Sequence, residues 1–478
     1  MNKGDILELK IEKYAFEGKG IAKIEKENSQ EKKFVVFVNG AYPGDVVKAK
    51  LKKIKKSYAE ANVEEIVTSS PQRIKPKCKY FGTCGGCRQQ DLSYEQQVIY
   101  KQQQVEETFR QAGLEDFTTE KIIPSENNFY YRNKMEFSFS DLRWLTEEEI
   151  KSDLQVERNF ALGLHTPKTF DKVLDIDECF LQSETSAKIL NFTREFFKQK
   201  NVSIYSTKTH TGFLRNLVIR QSAQTKDLMV NLVTSSEDEN LLKEYASGLK
   251  NNFDEITTIV NNVNLKKAAI AVGDYEKVFL GSGFIYDKIG AYKFRISANS
   301  FFQTNTLQAE KLYQTALDFA ELKGNEIVYD LYSGAGTISI FISGKAKEVY
   351  GFESVESSIF DANENLDINE IKNVRFFQSD LYKTFLPVAD SLPKPNVIIL
   401  DPPRSGMHKN TVDDVIKLSP EKIVYVSCNP TTQVRDIKLL TEGGYSQRDA
   451  FAKLIKIRSV DMFPHTFHIE NVALLTKI

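Results

Sequence analysis

Strand-like patterning opens the chain: apolar and polar residues alternate through Asp5-Ile6-Leu7-Glu8-Leu9-Lys10-Ile11-Glu12, and an apolar run follows at Phe34-Val35-Val36-Phe37-Val38. Turn signals fall at Gly18-Lys19-Gly20, Asn39-Gly40 and Pro43-Gly44-Asp45. Short strands at this spacing predict a small antiparallel β-barrel over residues 1–63. A helix is expected from Tyr94 to Ala112, closed by Gly113. Alternating runs at Met135 to Phe139, Phe160 to Leu164, Leu217 to Gln221 and Leu228 to Val233 predict an α+β middle domain within 64–290. Residues 141–159, acidic and poorly periodic, read as an exposed insertion.

From 291 to 478 the pattern changes to short, continuous apolar runs, as in strands buried on both faces. Ile327-Val328-Tyr329-Asp330-Leu331-Tyr332 leads into Ser333-Gly334-Ala335-Gly336-Thr337 and an apolar helix, and Glu348 to Glu353 is a second strand. Asn396 to Leu400 stops at Asp401-Pro402-Pro403, and Ile423 to Ser427 stops at Cys428-Asn429-Pro430. The expected architecture is α/β, with ligand and catalytic groups at the carboxyl edge of the sheet.

A chain of 478 residues suggests about three domains. It has neither a run of about 18 apolar residues nor an apolar signal core at its start, so a soluble, cytoplasmic monomer with no membrane association is expected. The net charge of −1 excludes a purely electrostatic nucleic-acid binder, so any polyanion must be held by a local patch. Residues 1–63 supply one, with 14 lysines against 9 acids. Lys48, Lys50 and Lys52 share one face of an alternating strand, suited either to tracking a phosphate backbone or to guarding a solvated edge.

The five cysteines are too few for a disulfide framework in a chain this long. Cys78, Cys84 and Cys87, with glycines between them, form a nest for a metal, and Cys179 is the cysteine available as a fourth ligand. Four thiolates fit zinc or an iron–sulfur cluster. The uneven division, three ligands from one loop, favours [4Fe–4S], and the Cys-x5-Cys-x2-Cys spacing differs from the Cys-x3-Cys-x2-Cys of radical enzymes. Farther on, Tyr130-Tyr131-Arg132-Asn133-Lys134 interleaves aromatic and basic residues, a run suited either to stacking on unpaired bases and gripping phosphate through Arg132 or to a strand with a solvated face.

Cys428, at the end of a strand, is a candidate nucleophile, the alternative being a buried thiol acting as a small hydrophobe. The turn at Gly334 and Gly336 lets a cofactor approach the backbone. Glu353 is placed to accept ribose hydroxyls, and position 339 is serine where a dinucleotide fingerprint wants glycine, which suits S-adenosylmethionine better than NAD. Asp380 is expected beside the adenine and Asp401 to face a ligand. Glu470, entering an apolar strand, should have a raised pKa and could handle a proton.

Phe16-Glu17-Gly18-Lys19-Gly20-Ile21-Ala22 with Val38-Asn39-Gly40-Ala41-Tyr42-Pro43-Gly44-Asp45 resembles the TRAM domain, an RNA-binding barrel. Three further motifs resemble the RNA uracil-5 methyltransferase family: Asp401-Pro402-Pro403-Arg404-x-Gly406, Ile423 through Cys428 to Thr432, and Asp461-Met462-Phe463-Pro464-His465-Thr466-x-His468-Ile469-Glu470. The likeness spans the chain, and within the family the barrel and cysteine centre are similar to the 23S rRNA branch. The resemblance implies a Rossmann-like methyltransferase domain and C5 methylation of uridine in RNA. It implies Cys428 as nucleophile and Glu470 as base, with Gln303, Tyr332, Glu353 and Asp401 at S-adenosylmethionine. It also makes Cys78, Cys84, Cys87 and Cys179 ligands of a [4Fe–4S] cluster. Ser333 departs from the cysteine of many relatives. The rival from another class is an iron–sulfur RNA-binding protein with a decayed catalytic half, against which Cys428 and Glu470 both stand.

Overall fold

The structure, a computed structural model, describes residues 1–25, 33–152, 156–167, 169, 171–267, 270–444 and 450–478. Its first unit is a six-stranded sheet in the order Ile6–Lys10, Val46–Ile54, Tyr58–Thr68, Phe34–Asn39, Lys19–Ile24, Lys13–Ala15. Alternation fixes its inside: Val36, Val38, Val47, Ala49, Leu51, Ala59 and Ala61 are all buried in one cluster, as expected when period-two side chains face a core. The pairing is not wholly antiparallel, because Val35 to Asn39 runs parallel to Tyr58 to Asn62. The expected hairpin order fails there because Val46–Ile54 crosses to Ile6–Lys10 before the chain returns.

The middle unit is a mixed eight-stranded sheet. Helices Glu184–Gln199 and Glu239–Asn252 bury Ile189, Leu190, Phe197, Tyr245 and Leu249 in the core that its strands share. Within the expected insertion, Arg143–Trp144 forms an edge strand and Glu147–Lys151 a helix started by a Thr146–Glu149 capping box, which satisfies orphan N–H groups at both positions. Positions 153–155 of that insertion lie outside the described residues.

The C-terminal sheet runs Val374–Gln378, Glu348–Glu353, Ile327–Leu331, Val397–Leu400, Lys422–Ser427, Glu470–Lys477, Ala452–Val460, Thr118–Ile123. Its first five strands are parallel and Glu470–Lys477 is antiparallel to Lys422–Ser427. Strand order reverses between Ile327–Leu331 and Val397–Leu400. At such a switch point the two following loops diverge and leave a crevice for a ligand.

Thr118–Ile123 pairs with Ala452–Val460, and helix Tyr94–Gln111 packs Val105 and Phe109 into the same core as Tyr425 and Ile457. These segments were expected in the middle domain, yet they belong spatially to the C-terminal layers. The hairpin Phe284–Ile289 with Tyr292–Ser297 likewise straddles the expected boundary at 290, its Ile285, Ile289, Phe294 and Ile296 packing beside Val328 and Val424. No helix among the described residues is long and apolar enough to cross a membrane.

Candidate active site

The carboxyl edge of the C-terminal sheet gathers Cys428, Glu470, Asp401 and Arg404. Strand Lys422–Ser427 pairs with Glu470–Lys477 so that Ser427 faces Asn471. One step further along this antiparallel register, Cys428 comes opposite Glu470. A polar network ties the two strands beside them: Gln433 Nε2 donates to the carbonyls of Tyr425 (2.8 Å) and Asn471 (3.1 Å), and Asn471 Nδ2 donates to Gln433 Oε1 (2.8 Å).

Pro430 opens the helix that follows and Asn429 caps it, its Oδ1 accepting from Thr431 N at 3.1 Å. Proline suits the first helical turn because no donor is lost there. The other end of the Asn429 amide donates to the Arg404 carbonyl at 3.0 Å, and Thr432 Oγ1 donates to the same oxygen at 3.1 Å. The nucleophile's turn and the Asp-Pro-Pro-Arg turn are thus bolted together. Gly406 permits this closeness: its φ is +77°, and a Cβ there would lie 2.5 Å from an Asp436 carboxylate oxygen.

Electrostatics within this group are tightly linked. Glu470 is 5% exposed, and burial, reinforced by the Asp401 carboxylate, pushes its pKa well above the ordinary glutamate value, with Arg404 opposing. Burial pushes Asp401 up to about 7, with the Asp330 carboxylate adding to the effect. The Cys428 thiol is pushed up to about 11 by burial and then by the Glu470 charge, while Arg404 opposes by its charge and a hydrogen bond to the sulfur. Arg404 also reaches His468 Nδ1 at 3.4 Å. Arg404 thus sets a positive charge against Glu470 and the Cys428 thiol.

On the other side of the switch point, the backbone around Tyr332 is shaped to leave room. Tyr332, Gly334 and Gly336 all have positive φ. A Cβ at Gly336 would meet the Phe376 ring at 2.4 Å, whereas one at Gly334 would meet nothing within 4 Å. Gly334 therefore borders open space. Its N–H donates to Glu353 Oε2 at 2.9 Å, and Glu353 Oε1 accepts from Ser354 N and Val355 N at 2.7 and 2.8 Å. Asp380 lies two residues beyond its strand, exposed and 3.3 Å from Lys383 Nζ. Gln303 is half-buried before helix Thr306–Ala320, its carbonyl accepting from Asn133 Nδ2 at 2.7 Å.

Cys78, Cys84, Cys87 and Cys179 are all free and half-buried, and line one cavity of about 610 Å3. Burial raises each thiol's pKa, to about 12 for Cys87 and about 11 for Cys179, with neighbouring cysteines adding to the shift at Cys84, Cys87 and Cys179. Among the described residues no three His, Cys, Asp or Glu side chains are grouped closely enough to hold a single ion. Arg132 lines this cavity too. Tyr131, from the same aromatic and basic run, is a core residue, 7% exposed, with its hydroxyl donating to the Pro464 carbonyl.

On the barrel, Lys48 and Lys52 are exposed and Lys50 is half-buried, while Ala49 and Leu51 point inward. Lys48 pairs with Glu65 at 2.8 Å, whereas Lys50 and Lys52 make no ion pair among the described residues.

Several contributors have no local sequence signal. Lys101, from the amphipathic helix Tyr94–Gln111, makes a buried ion pair with Asp461 at 2.6 Å, and Tyr94 donates to the same carboxylate at 2.9 Å. Gln97 bonds both the backbone and the ring of His465, and the His465 carbonyl accepts from Arg88 N and Gln89 N. The loop leading into Glu470 is thereby fastened to the cysteine loop. The pairing of Arg404 with Cys428 also depends on two turns 24 residues apart in sequence; the pattern Asp-Pro-Pro-Arg was its only trace.

Comparison with known proteins agrees with this geometry. The TRAM domain profile matches residues 2–63, and the profile described as tRNA (Uracil-5-)-methyltransferase matches 217–381 and 391–478. An uncharacterized RNA methyltransferase of Chlorobaculum tepidum is 41% identical, over 98% of this chain and 96% of its own. Another of Bacteroides thetaiotaomicron is 41% identical over 96% of this chain and 99% of its own. The crystal structure of Pyrococcus abyssi tRNA (uracil-54, C5)-methyltransferase with S-adenosyl-L-homocysteine superposes with a TM-score of 0.74 at 29% identity, covering 98% of this chain and 99% of that one. The chain carries an N-terminal TRAM domain on a mixed α/β methyltransferase fold and belongs to the tRNA (uracil-5-)-methyltransferase family of RNA methyltransferases.

Proposed function

We propose that this protein transfers a methyl group from S-adenosylmethionine to C5 of a uridine in RNA, with 23S rRNA as the first target, acting as a monomer in the cytoplasm. The observation that carries the reading is the register that sets Cys428 opposite Glu470 at the sheet's carboxyl edge, beside Asp401 and Arg404.

Gln303, Tyr332, Gly334, Gly336, Glu353, Asp380 and Asp401 would hold the cofactor, and the open space bordering Gly334 leaves the backbone there accessible to it. Bound there, it supplies an electrophilic methyl group. C5 of uracil is too weak a nucleophile to accept that methyl unaided. The Cys428 thiolate adds to C6, forming a C–S bond and moving an electron pair toward the C4 carbonyl, so that C5 becomes nucleophilic. Arg404 favours the thiolate by charge and hydrogen bond. Once C5 carries the methyl group, Glu470 removes its remaining proton. The C–S bond then breaks and Cys428 leaves as thiolate. A target base stacked within folded RNA must leave the stack to reach the sulfur. Lys48, Lys50, Lys52 and Arg132 are proposed RNA contacts.

The centre is assigned to a [4Fe–4S] unit rather than zinc because its ligands divide unevenly, three cysteines from one loop and Cys179 from elsewhere, all lining one cavity. Fully ligated, such a cluster has no open coordination site, so its role is to fold the loop that carries Arg88 and Gln89. Cys78, Cys84, Cys87 and Cys179 would hold it.

A second target, tRNA, is favoured by one observation: the tRNA-modifying relative matches along nearly the whole chain, so domain content does not separate the two substrates. Nucleoside analysis of 23S rRNA and tRNA from a strain lacking the gene, followed by methylation of each by the purified protein, tests the reading. Loss of 5-methyluridine from rRNA, restored in vitro, supports it; loss from tRNA alone replaces the target. Label on a ring nitrogen or ribose oxygen overturns the function.

A further inference from the structure

Between the barrel, the cysteine loop and the loop leading to Glu470 lies a cleft of about 510 Å3. That volume falls within the range of about 300–1,000 Å3 usual for small-molecule sites. Segments far apart in sequence wall it: Tyr14 and Tyr42 from the barrel, Phe81 and Arg88 from the cysteine loop, and Phe467. Barrel and catalytic loop meet closely, since a Cβ on Gly18 would stand 3.3 Å from the Phe467 ring.

The cleft's polar groups are specific. Asn39 and Asn62 are register partners on adjacent parallel strands, and Asn39 Nδ2 donates to Asn62 Oδ1 at 2.9 Å. That bond uses one end of each amide. The acceptor of Asn39 and the donors of Asn62 have no partner among the described residues, and an acceptor near a donor complements the edge of a nucleobase. Charge is arranged to suit a phosphate. Asp91 is occupied by the Tyr42 hydroxyl at 2.6 Å and by the Arg73 guanidinium. Glu17 stands at the rim, 64% exposed and 4.0 Å from Lys19. Arg88 is exposed, and its guanidinium has no partner among the described residues.

We propose that this cleft binds one unpaired nucleotide of the RNA substrate, its base stacked on Phe467 and read by Asn39 and Asn62, and its phosphate held by Arg88. The inference rests on the RNA-methylating reading and deepens it. Phe467 lies three residues before Glu470 and adjoins His468, which meets Arg404. A base stacked on that ring would steady the catalytic loop as it anchors the RNA. Recognition of a nucleotide other than the target would then be built into the interface between domains.

The test uses the full chain with three variants: Asn62→Asp, Phe467→Leu and Arg88→Gln. Asn62→Asp keeps the oxygen that accepts from Asn39 while removing both donors, so the barrel stays intact. Stacking contributes about 1–3 kcal/mol per base, so Phe467→Leu should raise KM for the RNA about tenfold or more, with kcat changing far less. Asn62→Asp should raise KM similarly. Arg88→Gln should flatten the salt dependence of RNA binding. Ultraviolet crosslinking of the wild-type protein to rRNA should yield an adduct on Phe81, Tyr14 or Phe467 at a nucleotide distinct from the one that is methylated. Unchanged KM in Asn62→Asp and Phe467→Leu, or crosslinks only at the methylated nucleotide, would overturn the proposal. If the wild type methylates no RNA yet crosslinks in the cleft, the catalytic reading fails and the binding site stands.

Discussion

Lys101 and Asp461, 360 positions apart, form an ion pair at 2.6 Å with 1% and 0% side-chain exposure. Lys101 also donates to the Phe463 carbonyl at 3.0 Å. Burial lowers the lysine pKa and the carboxylate opposes that shift. Because the pair ties helix Tyr94–Gln111 to the loop before Glu470, it positions that loop. Removing one partner of such a pair strands the other charge, at a cost of about 3–5 kcal/mol. Lys101→Met is therefore expected to lower the urea midpoint sharply, and Lys101→Met with Asp461→Asn to recover part of the loss. Urea titration of the single and double variants checks this; equal losses in both would show that charge pairing is not what matters.

Cys428→Ala should abolish methyl transfer, by more than about 10⁴-fold, as removal of a nucleophile does. RNA affinity should hold. Glu470→Gln should behave differently, because the thiolate can still add to C6 while the C5 proton has no acceptor. A covalent protein–RNA species should accumulate and appear as a retarded band on a denaturing gel. Activity retained without such a band would remove Glu470 as the base.

Much of this site was readable in the sequence because each strand carries its own chemistry at its end. Ile423 to Ser427 is apolar and β-branched, Pro430 cannot continue it, and Cys428 must stand at its edge. Glu470 was readable in the same way. What local pattern cannot encode is which strands become neighbours. Thr118–Ile123 is a short, half-polar run whose place beside Ala452–Val460 depends on a partner more than 300 residues away. The parallel pairing of Phe34–Asn39 with Tyr58–Thr68 was missed for the same reason: a turn signal shows that the chain reverses, not that another strand intervenes. Arg404 read only as part of the Asp-Pro-Pro-Arg motif, because its value lies in its effect on a sulfur from another turn.

The Cys428 thiol, with its pKa at about 11, is mostly protonated at neutral pH and must ionise to attack. Its reactive fraction grows about tenfold per pH unit below that value. Single-turnover methylation under saturating RNA should therefore rise with pH between about 6 and 9. Arg404 holds the thiol pKa down, so Arg404→Gln should displace the profile toward higher pH. A flat profile would mean that thiolate formation does not limit the bond-forming step.

Anaerobically purified protein should show a visible absorption band from the proposed cluster, and Cys179→Ser should lose it along with iron. The cysteine loop carries Arg88 and Gln89, whose N–H groups hold the His465 carbonyl at 2.8 and 3.1 Å. Cluster loss should thus loosen the catalytic loop and lower methylation, even though the cysteines take no part in the chemistry. Stoichiometric zinc without a band would replace the cluster with a single ion.

Glu470 and Asp401 should also leave a mark on stability. Both have folded pKa values raised mainly by burial, so the folded state favours their protonated forms. The stability this confers is fully present below the unfolded carboxylate values of about 4 and is lost as pH rises through the folded ones. At pH 8, above the Asp401 value of about 7, that carboxylate is charged in an apolar setting, and burial resists the ionisation of Glu470 beside it. Glu470→Gln, neutral at every pH, should raise Tm at pH 8 by several degrees, on a scale of about 2–4 °C per kcal/mol for a domain of this size. The gain should shrink toward zero at pH 4, where the native carboxyl is already protonated. Thermal melts of the two proteins across that range measure the difference directly. A Tm difference independent of pH would mean that Glu470 is held by contacts other than those its charge makes with Asp401 and Arg404.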